Sequence, residues 1–246
     1  MPATPAWPPR SSPRLFVDGP LSEGQSLTLD GPTAHYLGKV MRVAPGDAVI
    51  LCDDVTGEWA SEVTSAGKRT IDVSIVEKMR EREQVPDLWL CPALLKKDRF
   101  DLVLEKATEL GVRRIQPVLT RRCVADKLNV QRARTVTVEA AEQCARTALP
   151  ELTEPTRLEA LLRDWPADRT LFFADEMGGA GAVEAFAGSS KAAILIGPEG
   201  GFDESEREAV RAHPPARPIT LGPRILRGET AAIAAIAAWM ASAGDW

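Results

Sequence analysis

The chain has 246 residues, 44% of them apolar, and a formal net charge of −5. That length holds one large domain or two ordinary ones with a sizeable core, and no segment reaches the ~20 consecutive apolar residues of a bilayer span. The acidic total argues against a generally basic nucleic-acid binder, but it hides a basic middle: residues 76–135 sum to +5, between −3 for residues 1–75 and −7 for residues 136–246. Such a centre is compatible with a localised phosphate-binding face, or with an ordinary solvated helical surface.

The opening "MPATPAWPPRSSPR" is proline-rich and lacks an apolar signal core, so residues 1–13 read as a disordered lead-in. Residues 14–76 are predicted to be strand-rich. "RLFVD", "SLTLD", "DAVILCDD", "EWASEV" and "TIDVSIV" are short β-prone runs separated by Gly, Pro, Asp and Ser, the pattern of a small barrel. Within them "PTAHYLGKVMRV" predicts one helix, with His35, Lys39 and Arg42 at helical spacing and Tyr36, Leu37 and Val40 on its apolar side. The charged stretch over 77–87 reads as a linker.

From residue 88 the rhythm changes. "LWLCPALL" is an apolar run, and in the following helix Phe100, Val103, Leu104, Ala107 and Leu110 share one face, with Gly111 in the C-capping position. "RIQPVLT" is predicted as a strand, "ARTVTVEAAEQCARTAL" and "EALLRDW" as helices, "TLFFAD" and "AAILIG" as strands. "ESEREAVRAH" then reads as a helix, "PITLG" as a strand and "GETAAIAAIAAWMASA" as the last helix. Alternating strands and helices predict a parallel α/β sheet covered on both faces over 88–246. The small side chains of the last helix fit either close backbone packing or simple helix propensity.

The four cysteines (Cys52, Cys91, Cys123, Cys144) are scattered, so neither a zinc knuckle nor a disulfide framework is expected, and a reducing, cytoplasmic location is. With only two histidines, no metal site is expected. His213, which ends a charged helix, reads as a surface residue.

Two glycine turns carry the chemistry. "IGPEGGFDESE" and "LGPRILRGETA" each follow an apolar strand and begin Gly-Pro. Open α/β sheets bind ligands at the carboxyl ends of their strands. Glycine permits close approach to the backbone, and proline removes a donor and leaves carbonyls dominant. Neither turn matches a P-loop or a dinucleotide fingerprint. The helix after the first turn starts with Asp203, Glu204 and Glu206, which already complement the helix dipole and would repel phosphate. An uncharged or cationic ligand fits better, and S-adenosylmethionine, a phosphate-free sulfonium, meets that requirement.

These two motifs, with "KKDRFDLVLEKATELGV", "EAAEQCARTALPEL", "RLF" and "HYLGKVMRVAPGD", resemble the ribosomal RNA small subunit methyltransferase E family of the SPOUT (α/β-knot) superfamily. The resemblance implies a PUA-like β-barrel before a SPOUT domain with a deep trefoil knot, and a homodimer. It implies methylation by S-adenosylmethionine of N3 of a uridine, position 1498 of bacterial 16S ribosomal RNA. It also implies a cofactor pocket lined by Ile196, Gly197, Pro198, Glu199, Gly200 and Gly201 from the first turn, and by Leu221, Gly222, Ile225, Leu226 and Ala231 from the second. Arg227 is then the candidate cation for the developing uracil anion, with an ion pair to Glu229 as its plainer alternative role. Glu229 or Glu199 is the candidate base. Arg14, His35 and Arg42 in the barrel, and Arg121, Arg122 and Arg146 in the catalytic domain, are candidate RNA contacts. Gly228 stands where the family carries a residue with a side chain, which predicts a looser turn. Cys123 replaces a more usual hydroxyl residue and puts one RNA hydrogen bond in doubt. Competing readings are another SPOUT RNA methyltransferase, acting on a ribose 2′-OH or a tRNA guanine, and a non-enzymatic RNA-binding module.

Overall fold

A computed structural model describes residues 7–246; most of the expected disordered lead-in, residues 1–6, lies outside the described residues. The chain divides into two compact units, one of residues 1–84 with 141–148, the other of 85–140 with 149–246.

The first unit holds β1 (Arg14–Phe16), β2 (Ser26–Leu29), β3 (Ala48–Cys52), β4 (Glu58–Ala66) and β5 (Ile71–Arg80) in one sheet of order β1-β3-β4-β5-β2. Only the β1–β3 pairing is parallel. Helix α1 (Gly31–His35) runs into a π-helical turn over Tyr36–Met41 that ends at Arg42 in the left-handed region, φ 57°. The wider turn moves the apolar face: Leu37 is fully buried, while Tyr36, Val40 and Met41 are exposed beside His35, Lys39 and Arg42. Tyr36 and Val40 are therefore surface residues and not the core contacts that a regular helix predicts.

The expected linker also differs. Strand β5 continues to Arg80, whose Nε donates to Glu58 Oε2 at 2.5 Å, and Arg82 Nε donates to the Asp54 carbonyl at 2.7 Å. These bonds hold residues 77–82 to the first unit, against the reading of 77–87 as a free connector.

In the second unit the strands are β6 (Leu88–Pro92), β7 (Arg114–Ile115), β8 (Val118–Leu119), β9 (Glu151–Leu152), β10 (Thr156–Arg157), β11 (Thr170–Ala174), β12 (Ala180–Gly181), β13 (Ala192–Ile196) and β14 (Ala216–Thr220). The helices are α2 (Lys97–Glu109), α3 (Val130–Cys144, whose last residues belong to the first unit), α4 (Leu158–Arg163), α5 (Ala182–Phe186), α6 (Glu204–Ala212) and α7 (Gly228–Ala243). The main sheet has the order β12-β14-β11-β13-β6-β7-β9 with every pairing parallel, and β8 pairs with β10 beside it. "RIQPVLT" makes two short strands because Pro117 lacks the N–H that a continuous ladder needs.

Alternation along the strands builds two cores. Leu88, Leu90, Phe172, Ile194 and Ile196 face α2, α5 and α7, while Cys91, Leu171, Phe173, Ala193 and Leu195 face α4 and α6. Burial on both faces is why these strands read as continuous apolar runs. Helix α2 buries Phe100, Val103, Leu104 and Ala107 as its spacing predicts, and Gly111 ends it at φ 87°. Ala231, Ala232 and Ala235 of α7 are buried against this core, so their small volume does serve close packing.

Candidate active site

The site gathers at the carboxyl ends of three parallel strands. β11 lies between β13 and β14, so the two glycine turns do not leave neighbouring strands. The loop after β11, Asp175–Gly179, stands between them and carries part of the site that the sequence reading missed. Its signals were present: an acidic pair and two glycines directly after an apolar strand. Gly179 packs so closely on Pro218 that a Cβ would lie 2.3 Å from the Pro218 carbonyl. Asp175, buried, accepts from the Met177 N–H at 3.0 Å and from Arg211 Nε at 2.8 Å. Glu176 accepts from Arg207 at 2.7 Å, and its carboxylate sits where a Cβ on Gly201 would come within 2.9 Å.

The first turn is a hydrogen-bonded bend, with the Gly201 N–H donating to the Pro198 carbonyl at 2.9 Å and Gly201 at φ 67°. That φ, with Glu176 packed against the Cα, requires glycine. Ile196 and Pro198 are buried, and Glu199 and Gly200 lie outward. Gly197 rests against the Phe202 ring, where a Cβ would be 2.8 Å away. Helix α6 then opens with a capping box: Asp203 accepts from the Ser205 N–H at 3.0 Å, and Glu206 accepts from the Asp203 N–H at 3.1 Å. The helix N-terminus is thus satisfied by its own carboxylates and offers nothing to a phosphate.

The second turn begins at Leu221, with Gly222 at φ 107°, and crosses the end of β11 to reach the far side of the first turn. There Gly228 begins α7 against Leu95 and the Gly197 carbonyl, with a Cβ position 3.3 Å from that oxygen. The looser turn expected at Gly228 is not found; the glycine is what lets two backbones approach. Leu221 and Leu226 are partly buried against the core, Ala231 is buried, and Ile225 is 92% exposed. Ile225, expected in the pocket lining, belongs to no apolar cluster among the described residues.

Three charged residues tie these pieces together. Arg99, in the first turn of α2, has Nη1 3.6 Å from Glu199 Oε1 and Nε 3.8 Å from Glu229 Oε1. The Lys96 N–H donates to Glu199 Oε1 at 3.4 Å. Glu229 is 9% exposed and its Oε2 has no hydrogen-bond partner. The two candidate bases, 30 positions apart, therefore share one guanidinium that the sequence reading did not single out. Arg227 is exposed at the N-cap of α7 and makes no ion pair among the described residues; Glu229 pairs with Arg99 in its place.

The expected RNA contacts separate. His35 and Arg42 are exposed. Arg14 is committed to Glu58, Nε to Oε1 at 2.6 Å. Arg121 and Arg122 brace the first turn: the Arg121 N–H donates to Glu206 at 2.8 Å, its guanidinium to Asp203 at 3.0 Å, and Arg122 Nη1 to the Gly200 carbonyl at 3.1 Å. Arg146 is 5% exposed and lies 3.9 Å from Glu83. Its burial, which also pushes its pKa down by desolvation, corrects the expectation of a surface RNA contact. Cys123 Sγ lies 3.2 Å from Thr120 Oγ1, so it is engaged within its own loop.

Among the described residues no group of three or more His, Cys, Asp or Glu is placed to hold a metal, and no helix is long and apolar enough to cross a membrane. The three loops offer backbone carbonyls and glycines that permit close approach, beside a helix N-terminus already satisfied by its own carboxylates. That donor set fits S-adenosylmethionine and disfavours a nucleotide phosphate.

Fold and loop cluster together define an RNA methyltransferase: residues 81–240 match the RNA methyltransferase domain family, and residues 29–76 match the RNA methyltransferase PUA domain. The chain belongs to the ribosomal RNA small subunit methyltransferase E family. It is 29% identical to the member from Rickettsia conorii, covering 91% of this chain and 93% of that one. It is also 29% identical to the member from Bacillus subtilis, with 89% and 91% covered. A structure of ribosomal RNA small subunit methyltransferase E from Neisseria gonorrhoeae bound to S-adenosyl methionine superimposes with a TM-score of 0.87 at 28% identity, over 96% of this chain and 99% of that one. A methyltransferase from Legionella pneumophila, in complex with the same cofactor, matches equally, with TM-score 0.87 and 28% identity.

Proposed function

We propose that this protein is an S-adenosylmethionine-dependent methyltransferase of N3 of a uridine in 16S ribosomal RNA, acting in the cytoplasm as a homodimer with a knotted catalytic domain. The observation that carries this reading is the convergence of the two glycine turns at Gly197 and Gly228, with Glu199 and Glu229 held beside them by Arg99. The cofactor pocket is assigned to Ile196–Gly201, to Leu221, Gly222, Leu226 and Ala231, and to the Asp175–Gly179 loop. Ile225 joins it only if a ligand or second subunit covers its exposed side chain.

When bound, the cofactor supplies a methyl group on a cationic sulfur. The chain's own residues do the rest by position and charge. The backbone carbonyls of the glycine turns and the self-capped N-terminus of α6 favour a cationic ligand over an anionic one. Arg227, free at the mouth of the second turn, is available to stabilise negative charge on the uracil oxygens as N3 is deprotonated. A carboxylate, Glu229 or Glu199, accepts the N3 proton. N3 is occupied in a paired base, so the substrate uridine is single-stranded or splayed out.

The test is incubation with isotope-labelled S-adenosylmethionine and small ribosomal subunits, followed by mass spectrometry of the RNA. Label on one uridine base is the expected result. Label on a ribose or a guanine assigns the chain to another specificity, and no label with no cofactor binding by calorimetry overturns the reading.

A further inference from the structure

Glu199 and Glu229 come from different turns and both present Oε1 to Arg99, at 3.6 and 3.8 Å. Glu199 has a second donor, the Lys96 N–H. Glu229 does not: its Oε2 is buried and has no partner among the described residues. A carboxylate oxygen left unmatched inside a protein is costly, and such groups persist where a donor arrives with a ligand. The two carboxylates are therefore not equivalent. Both contacts of Glu199, the Lys96 N–H and the longer ion pair to Arg99, go to Oε1 of an exposed residue, whereas Glu229 is ion-paired through Oε1 and its buried Oε2 is left for a donor that arrives with a ligand.

Resting on the function proposed above, we propose that Arg99 is a positioning residue that orients Glu229 as the proton acceptor and fixes Glu199 as a structural tie. The α2 N-terminus supplies the guanidinium, and the α7 N-terminus supplies the acceptor. The N3–H bond of the uridine breaks with its electron pair remaining on nitrogen, and the proton moves to Glu229 Oε2. The nitrogen pair then forms the new N–CH3 bond as the S–CH3 bond breaks, its electrons returning to sulfur. Arg99 touches neither substrate nor cofactor in this arrangement. It holds the Glu229 carboxylate through Oε1, turned so that Oε2 is left for a donor.

The experiment uses the full-length protein with small ribosomal subunits and measures kcat, KM for RNA, cofactor Kd by calorimetry and thermal midpoint. Arg99→Gln is expected to lower kcat on the order of 100-fold, with KM and cofactor Kd within about 3-fold of the parent. Arg99→Lys keeps the charge but not the fork and is expected to recover part of that loss. Glu229→Gln is expected to cost at least as much as Arg99→Gln, and Glu199→Gln far less. In the double variant Arg99→Gln/Glu229→Gln the losses should not multiply, because the guanidinium acts only through Glu229. An Arg99→Gln enzyme with parental kcat, a loss expressed only in thermal midpoint or cofactor Kd, or losses that multiply in the double variant would each overturn the assignment. If Arg99→Gln does not fold, Arg99→Lys and Glu199→Gln still decide it. A parent protein that fails to methylate the RNA at all is a failure of the proposed function and is seen before any variant is made.

Discussion

Gly228→Ala tests whether the two turns are held together by backbone contact. The added Cβ would stand 3.0 Å and 3.2 Å from the two terminal methyls of Leu95 and 3.3 Å from the Gly197 carbonyl oxygen. Carbon pairs prefer about 3.5–4.0 Å, and Leu95 is buried at 3% exposure, so it cannot swing into solvent. Overpacking of this kind costs roughly 1–3 kcal/mol, against a helix-propensity gain of at most about 1 kcal/mol for replacing glycine. The net is a loss of about 1 kcal/mol, or ~2–4 °C in midpoint for a chain of this size. The carbonyl that must give way belongs to the first turn, so S-adenosylmethionine affinity should fall with stability. Shortening Leu95 to valine withdraws the clashing δ-methyls, so Gly228→Ala/Leu95→Val should be less destabilised than the two single variants summed. Differential scanning calorimetry and isothermal titration read both quantities. A Gly228→Ala protein that melts at or above the parent temperature and binds the cofactor unchanged refutes the close-approach argument.

Other expectations follow from the charged groups. Arg227→Ala should abolish methylation while cofactor binding, measured by calorimetry, survives; wild-type turnover removes Arg227 from the chemistry. Replacing Lys39 and Arg42 by alanine should weaken RNA binding and flatten its salt dependence by about one logarithmic unit for each phosphate no longer neutralised, whereas Arg121→Ala, which breaks a brace on α6, should leave that slope alone and weaken cofactor binding. Filter binding across a salt series separates the two. Glu58, 2% exposed, would be raised by burial, but hydrogen bonds from Arg80 and Arg14 outweigh this and hold its carboxyl below the ordinary value. Its contribution is therefore present above the unfolded carboxyl pKa and lost as pH falls through the lower folded value. Glu58→Gln should cost about 3 kcal/mol at neutral pH, with the gap to the parent closing in acid, as followed by urea unfolding across pH.

Much of the second unit was legible because its strands and helices keep their own periods. Phe100, Val103, Leu104 and Ala107 mark α2, and the fully apolar "AAILI" marks a strand buried on both faces. What was hidden depends on partners far along the chain. Nothing near "KKDRFD" reveals that Arg99 meets carboxylates 100 and 130 positions later. Nothing in "TLFFAD" reveals that its strand separates the two glycine turns. Arg146 reads like any surface arginine, but it is buried, with Glu83 3.9 Å away. The turn at Tyr36–Met41 is π-helical, and Tyr36 and Val40 face outward while Leu37 is buried. A site built of glycine turns was recognisable from residue type, but its electrostatic frame was not.

The crossing of residues 221–227 over the end of β11 bears on how the polypeptide matures. The last helix cannot dock until β11, β13 and β14 have been aligned, because its first residue seats on the bend that follows β13. Until residues 228–243 seat on that bend, the ligand pocket is unfinished. The contact between Gly228 and the Gly197 carbonyl needs that alignment first, so competence to bind the methyl donor should emerge during refolding only after the β-structure is in place.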